Sequence, residues 1–173
     1  YSKLQGIDFA STPFDLEAVD LLAPHVPFFK VASADITNLP LLRKVASKGL
    51  PVILSTGASH IWEVASAVNV LEKAGADEVI ILHCILEYPT PVDDANLAMI
   101  RSLQSAFPGY EVGYSDHTKA DEVLSSLSVA FSLGATILEK HFTDDPSEPG
   151  NDHYHAMSKE QLSAFLLACK NRS

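Results

Sequence analysis

The chain has 173 residues, 47% of them hydrophobic, and a formal net charge of −10. That is enough apolar material for a substantial core, while no apolar run is long enough to span a bilayer and no signal-peptide pattern is present. The composition fits a cytoplasmic globular enzyme with no membrane partner. Its basic residues are scattered instead of forming a stripe, which argues against nucleic acid. An anionic small molecule stays open as a substrate, because charge is screened over roughly 8 Å and the local site decides. Cys84 in a buried-strand pattern and Cys169 on a helix read as small core hydrophobes in a reducing compartment, not as a disulfide.

Six short β-prone runs follow one another along the chain: residues 7–11, 28–33, 51–55, 79–84, 111–115 and 136–139. Each is bounded by polar loop residues and followed by helical periodicity. Asn38 is the expected cap of a helix carrying Leu41, Leu42, Val45 and Ala46, which Gly49 ends. Ser59 is expected to open the helix through Trp62, Ala65, Val68 and Leu71, with Gly75 as its stop. Asp93 or Asp94 opens the next, through Leu97, Ile100, Leu103 and Phe107 to Pro108-Gly109, and residues 120–133 form another, closed by Gly134. Ser158, spaced to Gln161 as in a capping box, begins the last, through Leu162, Phe165, Leu166 and Cys169.

Strict alternation of strand and helix implies an α/β protein with a parallel sheet, either doubly wound or closed into a (β/α)8 TIM barrel. The position of the polar residues favours the barrel. A doubly wound sheet collects them at one switch point, whereas here nearly every strand ends in a candidate: Thr12, Lys30 and Ser33, Ser55, His83, Ser115 and His117, Glu139 and His141. The two strand-end histidines, His117 and His141, can hold one divalent metal. A lone strand-end histidine is more often hydrogen-bonded in the barrel mouth, and His83 is read at least as readily as packed there.

The motifs Ser11-Thr-Pro-Phe14, Lys30-Val-Ala-Ser33, Pro51-Val-Ile-Leu-Ser-Thr-Gly57, Leu82-His-Cys84, Tyr88-Pro-Thr-Pro91, Gly113-Tyr-Ser-Asp-His-Thr118, Glu139-Lys-His-Phe-Thr143 and Pro149-Gly-Asn-Asp152 occur in this order. Together they resemble the sialic acid synthase family, the synthases of N-acetylneuraminic, legionaminic and pseudaminic acids, over practically the whole chain. The resemblance implies a metal-dependent condensation of phosphoenolpyruvate with an N-acylated aldose resembling N-acetylmannosamine. The products are a nine-carbon 2-keto sugar acid and phosphate, in surface polysaccharide biosynthesis.

By the same resemblance, His117 and His141 match the family's metal ligands, in sites that usually hold Mn2+. Two imidazoles leave positions on such an ion for water and a substrate oxygen. Lys30, Ser33, Thr12, Ser55 and Ser115 match the cradle for phosphoenolpyruvate, an anion that hydroxyls, an ammonium group and backbone N–H groups suit. Asp35, Tyr88 and Asp152 match positions near the acceptor sugar. Asp35 stands where the family usually has Glu, and Asp35 or metal-bound water is a candidate to activate the attacking water. Leu86 replaces a small polar residue, a loss of about 0.5–1.5 kcal/mol for one neutral hydrogen bond. His153 and His155 flank Tyr154 and are left as acceptor-loop residues without a role.

The resemblance also places the six units as the third to eighth of a barrel. Residues 1–173 are then expected to be a single, incomplete catalytic domain. The resemblance further implies that the first two units and a small C-terminal domain resembling antifreeze proteins are absent from these residues, and that the full-length protein is a homodimer. The polypeptide as it stands is expected to show little activity and a tendency to associate. Two other readings are a Schiff-base pyruvate aldolase using Lys30 or Lys140, and a binding remnant of the synthase barrel that has lost its chemistry.

Overall fold

The computed structural model describes residues 1–121 and 124–170. The chain divides into two compact units, Tyr1–Leu82 and His83–Ser173.

In the first unit, three parallel strands lie in chain order: β1 (Phe29–Val31), β2 (Val52–Ser55) and the greater part of β3 (Val79–Cys84). Phe29 is registered with Val52 and Val52 with Val79. Val31, Leu54 and Ile81 are at most 1% exposed, so these strands read as the continuous apolar runs of a sheet covered on both faces. Helix α1 (Leu16–Leu22) is capped by Asp15, whose carboxylate accepts the Ala18 N–H at 2.7 Å. Helix α2 (Leu39–Ala46) starts at Asn38 as expected, the side chain accepting from the Leu41 N–H at 3.4 Å. Helix α3 (Ile61–Ala74) buries Val64, Ala67, Val68 and Leu71, the i, i+3, i+4, i+7 stripe, and packs on α2. Each leucine taken fully from water here contributes about 1.5–3 kcal/mol.

Two expectations fail in this unit. Residues 7–11 form no strand, so five strands stand among the described residues where the pattern suggests six. An apolar run becomes a strand only when a neighbour completes its ladder. Here the Ile7 N–H turns back to the Ser2 carbonyl at 3.1 Å, and Ile7 and Phe9 are exposed. Helix α3 begins one residue later than expected. His60 is its N-cap, with its own N–H donated to Glu63 Oε2 at 2.8 Å, while the Ser59 hydroxyl donates to the Gly57 carbonyl. Gly75, at φ +102°, ends α3 as expected, in the left-handed region that a side chain disfavours.

In the second unit, β4 (Glu111–Asp116) and β5 (Leu138–Lys140) pair in parallel. Asp93 and Asp94 lie in a separate 3-10 turn, and helix α4 (Met99–Ala106) begins only after Ala98. The expected acidic cap is thus displaced by a tight turn, which also satisfies orphan backbone groups. The helix expected over 120–133 is α5 (Ser125–Ser132); Glu122 and Val123 fall outside the described residues. Helix α6 (Lys159–Lys170) follows a reciprocal pair, Ser158 N–H to Gln161 Oε1 at 2.7 Å and Gln161 N–H to Ser158 Oγ at 3.3 Å, as the capping-box spacing predicts. Cys84, buried, and Cys169 are free thiols. No helix among the described residues is long and apolar enough to cross a membrane.

Candidate functional site

Strand geometry decides which side chains meet. Along β4 successive residues alternate between faces, so Tyr114 and Asp116 share one face and Ser115 the other. The parallel register sets Tyr114 beside Leu138, Ser115 beside Glu139 and Asp116 beside Lys140. One step further along the same register brings His117 beside His141. Their ring centroids lie 5.5 Å apart, so the two histidines expected to act together are brought together.

The neighbouring pair on each face is chemically matched. Ser115 Oγ donates to Glu139 Oε1 at 2.6 Å, so the hydroxyl assigned to an anion cradle serves a carboxylate here. Asp116 Oδ2 lies 2.9 Å from Lys140 Nζ, with both side chains no more than 3% exposed. Its Oδ1 accepts from the Tyr114 hydroxyl at 3.0 Å and the Thr118 N–H at 2.9 Å, and Lys140 also donates to the Thr118 carbonyl. Burial and then the Asp116 charge raise the Tyr114 pKa, keeping the phenol protonated and able to donate.

Around the histidine pair the loops add three more rings. His117 Nδ1–H donates to the Ile85 carbonyl at 2.7 Å, which fixes that tautomer and leaves Nε2 with its lone pair. Burial, first, lowers the His117 pKa and favours the neutral, ligating form. The Tyr88 ring sits 4.1 Å from that of His117, 6.1 Å from His141 and 5.8 Å from His155. The Tyr154 hydroxyl donates to the Tyr88 carbonyl at 2.7 Å, linking the two loops.

His155, for which the sequence offered no role, belongs to this cluster. The segment carrying it is fixed by backbone bonds from the Met157 N–H to the His141 carbonyl at 2.8 Å and from the Thr143 N–H to the Met157 carbonyl at 3.0 Å. Its ring lies 4.7 Å from that of His141, is 0% exposed, and has neither nitrogen hydrogen-bonded. Leaving a buried polar group unsatisfied costs about 1–3 kcal/mol, so such a ring calls for a partner. Asp152, in reach on the exposed side, places Oδ1 3.7 Å from His141 Nδ1. Ligating atoms of His141, Asp152 and His155 all lie within 4.8 Å of one another. The donor set of imidazoles and one carboxylate, with an unsatisfied buried imidazole among them, fits a divalent first-row transition ion. His153 stays apart, paired through Nδ1 with Thr143 Oγ1 at 2.7 Å.

His83 is buried and hydrogen-bonded within its strand's surroundings. Its Nε2–H donates to the Ala95 carbonyl at 2.8 Å and its ring stacks on Tyr114 at 5.6 Å. Burial lowers its pKa, so its imidazole NMR signals are expected to titrate with a midpoint below that of an ordinary histidine. A depressed folded pKa stabilises the fold fully only above the unfolded value. That contribution falls away as pH drops from about 6.5 through the folded value. Protonation of the ring with the ordinary midpoint would contradict the burial argument.

In the first unit, Lys30 Nζ donates to Ser55 Oγ at 2.7 Å and to the Val31 carbonyl at 3.1 Å. Ser33 begins a 3-10 turn (Ser33–Asp35), and its Oγ accepts the Gly57 N–H at 2.9 Å. The structure thus joins Lys30 with Ser55, and Ser33 with the loop after β2. Asp35 Oδ1 accepts from Asn38 Nδ2 at 3.0 Å, which ties it to the α2 cap. Thr12 is half-buried in a segment without regular structure, and Leu86 is 45% exposed.

Parallel β/α units with imidazoles, a carboxylate and tyrosines gathered just beyond the C-terminal ends of β4 and β5 define an α/β protein with an enzyme-like, metal-competent site. All 173 residues match the NeuB family model, and the chain belongs to the NeuB family. It is 50% identical over 167 residues to an uncharacterized protein of Methanocaldococcus jannaschii, covering 96% of this chain and 48% of that protein. To an N,N'-diacetyllegionaminic acid synthase of Campylobacter jejuni it is 45% identical over 165 residues, 94% of this chain and 48% of the synthase. Among solved structures, the spore coat polysaccharide biosynthesis protein SpsE of Bacillus subtilis superposes with a TM-score of 0.92 at 35% identity, over 99% of this chain and 48% of that one. The chain spans about half the length of the curated relatives it matches.

Proposed function

We propose that the intact protein condenses phosphoenolpyruvate with an N-acylated aldose, giving a nine-carbon 2-keto sugar acid and phosphate. The observation that carries this reading is the meeting of His117 and His141, set by the β4–β5 register, in a chain of the NeuB family. On this reading residues 1–173 are part of a TIM-barrel catalytic domain in a cytoplasmic homodimer. His117 and His141 hold a divalent ion, Mn2+ being the choice. When bound, such an ion supplies Lewis acidity toward a carbonyl oxygen.

The chain's own residues account for the rest. The Lys30 ammonium and the Ser55 hydroxyl bind phosphate oxygens, with Ser33, Thr12 and Ser115 as further hydroxyl partners. Ser115 must then release Glu139 on binding. Tyr88 and Asp152 orient the acceptor sugar, and Asp35 is a candidate to take a proton from the attacking water. C3 of the enol joins the aldehyde carbon, water adds at C2, and phosphate leaves with cleavage of the C–O bond. Lys30→Ala is expected to raise the phosphoenolpyruvate KM by about 10- to 100-fold, the effect of losing a charge-assisted contact of about 1.5–3 kcal/mol. A defect confined to the sugar KM would remove that role.

A Schiff-base aldolase acting through Lys140 is disfavoured by the buried Lys140–Asp116 pair, since that chemistry needs a neutral amine. The two are separated by borohydride trapping with pyruvate. No stable adduct is expected, whereas phosphate release should require both the aldose and Mn2+. The binding-remnant reading predicts metal and phosphoenolpyruvate binding without product.

A further inference from the structure

We propose that His155 is a protein ligand of the divalent ion, joining His141, beside which its ligating atoms cluster. This rests on the reading that the protein holds such an ion at His117 and His141. The first ground is the unmet need of the His155 ring, fully buried with both nitrogens unpartnered, where a phenylalanine would fill the space without that cost. Position is the second. The backbone bridge between Phe142 and Met157 and the bond from the Ala120 N–H to the His155 carbonyl at 3.2 Å hold this ring against His141. The third is donor spacing: atoms bound to one ion at about 2.0–2.2 Å lie at most about 4.4 Å apart. The ligating atoms of His141, Asp152 and His155 lie within 4.8 Å of one another, so a local closure of these side chains brings them onto one ion. Asp152, exposed, leaves a route for the ion from solvent.

The test titrates the metal-stripped intact protein with Co2+, following visible absorption and calorimetric affinity, for wild type, His155→Ala, His155→Cys and, as a control outside the cluster, His153→Ala. His155→Ala is expected to weaken Co2+ at least about tenfold and to alter the ligand-field bands. His155→Cys should bring in a thiolate-to-cobalt charge-transfer band in the near ultraviolet, which appears only if position 155 ligates and decides the matter even where alanine impairs folding. His153→Ala should match wild type. One Co2+ per wild-type chain with unchanged affinity and no new band in the variants would overturn the role of His155 while leaving the functional reading in place. A wild type that binds no Co2+ would overturn both.

Discussion

His117→Ala or His141→Ala in the intact protein is expected to abolish turnover and to lower metal content. The register that pairs Asp116 with Lys140 sets these two rings side by side, and the Ile85 carbonyl fixes the His117 tautomer. Either truncation removes an imidazole that the remaining donors cannot replace from a rigid strand end. If Lewis-acid stabilisation is about 4 kcal/mol, its loss lowers the rate about a thousandfold. Elemental analysis and phosphate release on the same preparations check both halves. Metal content and rate both unchanged would remove the metal assignment.

Asp116→Ala is expected to be the most damaging substitution to stability outside the apolar core. It would strand the Lys140 ammonium in a site where that side chain is 2% exposed, and would also unpair the Tyr114 hydroxyl and the Thr118 N–H. Breaking one side of a buried ion pair costs about 3–5 kcal/mol, and the two neutral hydrogen bonds act in the same direction. Asp116→Asn should be milder, because its carbonyl oxygen can keep the Tyr114 and Thr118 contacts while the charge pair is lost. Urea unfolding of the two variants and wild type gives the comparison. A loss below about 1 kcal/mol for alanine would mean that Lys140 finds other compensation. Because residue 116 directly precedes His117, the alanine variant should also bind metal more weakly.

The juxtaposition of His117 with His141 and of Lys30 with Ser55 was legible in the sequence, and the contacts that were not have a physical cause. His117 and His141 could be singled out because each ends a β-prone run, and parallel pairing makes neighbours of residues at equivalent strand ends. Lys30 and Ser55 emerged in the same way, from strands β1 and β2 that do pair. The Ser115–Glu139 and Asp116–Lys140 partnerships depend on register, which a single sequence does not print. His155 lies in a loop whose course is set by two backbone bonds to residues 141 and 143, so no periodicity could have flagged it; the available signal was the two histidines, His153 and His155, flanking Tyr154. The missing strand at residues 7–11 shows the converse: β propensity is present, but a strand is a property of two segments.

The most direct measurement incubates the intact protein with phosphoenolpyruvate, Mn2+ and a panel of N-acylated aldoses, following phosphate and the mass of the organic product. The account predicts phosphate release only when ion and aldose are both present, in step with a keto acid three carbons longer than the sugar. Phosphate formed without any sugar, or a complete panel that yields no keto acid, would contradict it.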